Sequence, residues 1–96
     1  YMESEAANLM RYKATGLFDE KKPCGAEANM AKHLAAKASW EAGNVCLQTY
    51  GGFGFAAEYD VERKFRETRL YLVAPISTNL ILSYLAEHVL GLPRSF

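Results

Sequence analysis

Residues 48–67 read Q-T-Y-G-G-F-G-F-A-A-E-Y-D-V-E-R-K-F-R-E. Gly51, Gly52 and Gly54 fall within four positions, with Phe53 and Phe55 interleaved, and the helical spacing on either side stops here. No Gly-Lys-Ser/Thr follows, so this is not a phosphate-binding P-loop. A helix pattern, not a strand, precedes it, so it is not the dinucleotide fingerprint. Glycines allow backbone shapes closed to other residues and let another surface approach the main chain closely. A tight helix-to-helix turn is the plainer reading of the cluster, and a ligand approaching bare backbone is the other.

Upstream of the turn, Gly25–Gln48 predicts a long alanine-rich helix with a broad apolar face of Ala26, Met30, Leu34, Ala38, Ala42, Val45 and Cys46. Its small side chains would let neighbouring helices approach closely, and Trp40, beside that face, reads as core packing. Further upstream, Ala6, Leu9, Met10, Lys13, Ala14 and Leu17 recur at helical spacing over 3–18, and Pro23 lies in a polar stop before the next helix. Downstream, Asp60 can cap a charged helix from Val61 to about Tyr71, with Glu62/Arg66 and Arg63/Glu67 four residues apart. Pro75 predicts a break. Ser77, Thr78 or Asn79 then caps a last helix to about Leu90, ended by Gly91 and Pro93. Four helices on short links make the fold class all-α, part of an up-down helical bundle, with 1–96 as a single partial domain.

Composition bounds the function. Half of the 96 residues are apolar, so a folded core is expected, and 11 basic side chains balance 11 acidic ones. Without net charge or a basic stripe bearing stacking aromatics, nucleic acid is a poor partner. The apolar stretch near the C-terminus is broken by Ser77, Thr78, Asn79 and Ser83, so no membrane partner is expected, and no signal peptide is visible. A cytoplasmic protein is the default. Cys24 and Cys46 lie far apart without a CxxC unit and read as buried thiols. His33 has no ligand-type residue at helical spacing, so no metal site is expected. Tyr1 and Met2 lead straight into helix, which fits a piece of a longer chain at least as well as a natural start.

The run Q-x-x-G-G-x-G-F-x-x-E from Gln48, followed by Arg63 and Glu67 at fixed spacing and by the text 58–71, resembles the C-terminal signature of the acyl-CoA dehydrogenase family. The resemblance extends more weakly into the alanine-rich helix and the last helix. It implies FAD-dependent α,β-dehydrogenation of an acyl-CoA thioester, a homotetramer, and electron-transfer flavoprotein or a similar acceptor as partner. On this resemblance Gln48, Gly51 and Gly52 match positions that approach the adenine side of FAD from a partner subunit. Ser77 and Asn79 match a second pair of flavin contacts, where the N–H groups of a helix start favour an anion, although simple capping explains either residue alone. Phe53 and Phe55 read as packing residues that fix the turn. Arg63, Arg66 and Arg69 could reach a phosphate, but internal ion pairing and subunit contact is the preferred reading for this helix.

One departure from the family stands out. Many relatives carry Tyr-Glu-Gly-Thr before the last helix, and its glutamate is the catalytic base. Here the matching stretch is Ala74-Pro75-Ile76-Ser77, and proline accepts no proton. The base then comes from an earlier helix upstream of Tyr1, or the branch is divergent in substrate or chemistry, or the protein does not dehydrogenate. No catalytic residue is assigned within 1–96, Glu58 reads as structural, and the isolated piece is expected to be inactive. The alternative is a non-catalytic helical assembly module derived from the same fold.

Overall fold

The computed structural model describes residues 1–94. Four α-helices follow one another: α1 (Met2–Asp19), α2 (Gly25–Tyr50), α3 (Val61–Val73) and α4 (Thr78–His88). Two short 3-10 turns, Gly51–Phe55 and Ala57–Tyr59, join α2 to α3. No strand occurs among the described residues, so the architecture is the all-α, up-down bundle that the helical spacing predicts. Helices α1, α3 and α4 all pack on α2.

Local chemistry sets the boundaries. α1 ends where Lys21 turns left-handed at φ 57 and donates its N–H to Phe18, while Lys22 donates to Leu17, just before Pro23. α2 runs past Gln48 to Tyr50, so Gln48 lies in its last turn instead of at its end. α3 stops as expected, because Ala74 is extended ahead of Pro75. The Ser77 hydroxyl caps α4 by accepting from the Leu80 N–H at 3.4 Å. α4 ends at His88, short of Leu90, and Gly91 follows in the left-handed region at φ 67. The stretch 61–88 has the length and hydropathy of a membrane span. Ala74 and Pro75 break it into helices of 13 and 11 residues, each short of the ~20 that a span needs.

Two expectations about side chains are corrected. Asp60 does not cap α3. It sits in the left-handed region at φ 61, and the Arg63 guanidinium holds both its carboxylate oxygens, so neither reaches a helix N–H. The cysteines are not buried, Cys24 being half-buried and Cys46 exposed.

The core is thin. Its buried apolar side chains, among the described residues, are Ala7, Ala14, Ala36, Val61 and Ile81. The buried line of α2 centres on Ala36, while Ala42, Val45 and Cys46 of the expected apolar face all stand exposed. Close helix approach does occur at small residues. A Cβ on Gly43 would stand 2.8 Å from the Thr68 hydroxyl of α3, and one on Gly25 would stand 2.5 Å from the Tyr84 hydroxyl of α4. Trp40 is half-buried, packed against Phe65 with the rings tilted and with the Arg69 guanidinium over its ring. The radius of gyration is 16.1 Å, against about 12–13 Å for a compact domain of this length. The accessible surface is 7034 Å², where a compact monomer of this size would expose about 5,500 Å².

Candidate functional site

α2 delivers Gln48 and the glycine turn as one unit. The Gly51 N–H donates to the Gln48 carbonyl and closes the helix, and the Gln48 side chain remains exposed. Gly51 adopts φ 58, ψ −135, a conformation that L side chains rarely take. Gly54 is buried, and a Cβ there would stand 2.9 Å from the Leu47 carbonyl oxygen. Two of the three glycines are therefore explained within the chain. Gly52 is not: its φ is ordinary, and nothing lies within 4 Å of where its Cβ would stand. Gln48, Gly51 and Gly52 thus form one exposed patch of amide side chain and bare backbone.

Aromatic rings flank the patch. Tyr59 meets Phe53 at 5.2 Å and Tyr50 at 6.1 Å between centroids. Phe53 is 64% and Phe55 77% exposed. The expectation that both rings fix the turn by packing therefore holds only for the Phe53 contact with Tyr59. Phe55 projects from the turn.

α3 carries its charges as internal pairs. Arg66 meets Glu62 at 2.7 Å, and Arg63 bridges Asp60 and Glu67. Hydrogen bonds from Arg63 hold the Asp60 and Glu67 carboxyls below their ordinary range, and the two carboxylates raise the Arg63 pKa in return. These exposed pairs order α3 locally and are each worth little. Glu27 at the start of α2 is lowered too, first by its backbone hydrogen bond and then by Lys13 at 3.3 Å.

Ser77 and Asn79 lie at the start of α4, Ser77 half-buried as the cap and Asn79 exposed. The structure does not bring them to the glycine patch. Their turn is tied to the end of α3, where Lys32 from the first half of α2 meets the Tyr71 carbonyl. Lys32 and Gln48 are 16 residues apart on α2, so the two sets are separated by on the order of 20 Å along the helix. A ligand touching both sets is long, or each set serves a different ligand. Lys32 and the interior bond of Thr78 were not legible as functional in the sequence, where a lone helix lysine reads as a solvated side chain.

Comparison with known proteins agrees with this architecture. Residues 1–90 match the family described as acyl-CoA dehydrogenase, C-terminal domain. The chain is 43% identical over 98 residues to the acyl-CoA dehydrogenase FadE12 of Mycobacterium tuberculosis, covering 100% of this chain and 25% of that protein. It is 41% identical over 69 residues to the caffeyl-CoA reductase-Etf complex subunit CarC of Acetobacterium woodii, covering 72% of this chain and 18% of that protein. It is 32% identical over 95 residues to the glutaryl-CoA dehydrogenase of Desulfococcus multivorans, covering 98% and 24%. No solved structure matches the chain. The chain spans about a quarter of the length of the curated relatives it matches. With its helices, its glycine turn and these relatives in agreement, the chain belongs to the acyl-CoA dehydrogenase family, within that family's C-terminal domain.

Proposed function

We propose that this chain supplies the flavin-contacting helical portion of an FAD-dependent acyl-CoA dehydrogenase whose catalytic base lies outside it. The observation that carries the reading is Gly52: neither its backbone angles nor any neighbour in the chain calls for glycine, yet it stands exposed between Gly51 and the aromatic rings. A ligand in contact with the backbone gives the missing reason. Gln48 beside it offers a donor and an acceptor to an adenine or ribose edge, and the open backbone at Gly51 and Gly52 admits a phosphate without side-chain interference. Ser77 and Asn79 hold a flavin at the other set through the start of α4. FAD, when bound, supplies the hydride acceptor for α,β-dehydrogenation of the acyl-CoA.

Pro75 does no acid–base work, so the residue that removes the α proton is supplied from beyond this chain. The separation of the two sets suits a homo-oligomer, a tetramer on the family pattern, in which each set meets a different flavin. The name of the CarC relative, an Etf-complex subunit, supports an electron-transfer flavoprotein as acceptor. Pro75 also favours a second reading, a helical assembly module without catalysis. The visible spectrum of the full-length protein separates the two. Flavin bands near ~370 and ~450 nm that bleach on adding an acyl-CoA support the dehydrogenase. A protein that takes up no FAD leaves the assembly module.

A further inference from the structure

α3 ends with carbonyl groups that no later turn of its own helix can satisfy, because Ala74 is extended ahead of Pro75. Leu70 finds the Ala74 N–H. The next two carbonyls are taken by side chains from two other helices. The Lys32 ammonium of α2 donates to the Tyr71 carbonyl, and the Thr78 hydroxyl of α4 donates to the Leu72 carbonyl at 3.1 Å. Lys32 also places a cation at the negative end of the α3 dipole. Thr78 stands between Ser77 and Asn79 in sequence, so its bond fixes the turn that presents both.

We propose that Lys32 and Thr78 are positioning residues. Together they clamp the C-terminal end of α3 between α2 and α4 and thereby set the orientation of Ser77 and Asn79 toward the flavin. This rests on the reading of Ser77 and Asn79 as flavin contacts. Neither clamp residue touches the cofactor. The arrangement makes flavin binding at α4 depend on a lysine of α2, a helix whose own glycine patch lies at its far end.

The test uses the full-length flavoprotein, stripped of FAD and retitrated with FAD. Dissociation constants are read from flavin fluorescence, the position of the flavin absorption band is recorded, and the unfolding midpoint of the apoprotein is measured alongside. T78V and K32M are expected to weaken FAD binding roughly 3- to 10-fold, as loss of one hydrogen bond implies, and to shift the band. T78S and K32R, which keep a donor, are expected to restore both. If T78V does not fold, T78A removes the same hydroxyl without adding a methyl group. N79A is the control for the underlying reading: unchanged FAD affinity in N79A overturns that reading and the clamp with it. Weakened binding in N79A with wild-type binding in T78V and K32M overturns the clamp alone. Weakened binding in T78V that T78S does not rescue also overturns it, since packing and not the hydroxyl would then be responsible.

Discussion

The indole of Trp40 on α2 and the ring of Phe65 on α3 lie 4.9 Å apart between centroids, tilted by 35°. This is the principal aromatic contact between the two helices that flank the glycine turn. Replacing Trp40 with alanine is expected to destabilise the fold by about 2–4 kcal/mol. Phe65→Leu, which keeps apolar volume but loses the ring pair, is expected to cost about 1 kcal/mol. Urea titrations followed by circular dichroism check both, and a Phe65→Leu protein as stable as the wild type would rule out the ring pair as a source of stability.

The glycine turn separates structural from ligand-facing positions. Gly54→Ala drives a methyl group into the Leu47 carbonyl and is expected to cost about 1–3 kcal/mol. Gly52→Ala meets open space and is expected to leave stability within about 0.5 kcal/mol while weakening FAD binding in the full-length protein. Thermal unfolding and an FAD titration on the same two variants distinguish the roles. Unaltered FAD affinity in the Gly52→Ala protein would show that no flavin contact requires glycine at that position.

Acid sensitivity follows from Arg63. Its hydrogen bonds lower the pKa values of Asp60 and Glu67 from their ordinary 3.8 and 4.5. A carboxyl that is more acidic when folded stabilises the fold fully above its unfolded pKa and loses that contribution as pH falls through its folded pKa. The stabilisation is therefore intact at neutral pH, and its loss develops below about pH 4.5. Arg63→Met is expected to move both carboxyls back toward their ordinary values, seen by NMR titration, and to flatten the loss of stability on acidification. Salt weakens the effect, because the groups are exposed.

Exposed apolar side chains predict association. Leu9, Tyr12 and Phe18 on α1 and Leu80, Leu82 and Leu90 along the last segment all stand open. The surface in excess of a compact monomer, on the order of 1,500 Å², is comparable to the total area of a standard interface. The 96-residue polypeptide alone is expected to self-associate in sedimentation experiments. A monodisperse monomer at micromolar concentration would contradict this.

Much of the fold is legible in the sequence because helical chemistry is local. The alanine run of α2, the extended Ala74 before Pro75, the Ser77 cap and the two charge pairs of α3 each depend on residues within about one turn of each other. The side-chain role of Asp60 is not legible, because two partners compete for one carboxylate. In sequence it stands directly before the helix N–H groups and three residues before Arg63, and the guanidinium offers the stronger, charge-assisted bond. The exposure of Val45 and Cys46 is hidden too, because apolar spacing marks a face without saying whether anything covers it.

What the sequence determined by itself was the order of helices, the turn between α2 and α3, and the residue types offered to a ligand at Gln48, Gly51, Gly52, Ser77 and Asn79. What only the tertiary structure decided was their grouping. Three of them share one exposed patch and two stand at the start of α4, and the carbonyls at the end of α3 are satisfied by Lys32 and Thr78 from other helices. Pairings across 39 residues of chain, such as Lys32 with Tyr71, carry no local signature. They follow from how whole helices pack, and that depends on side-chain volumes summed over the interface.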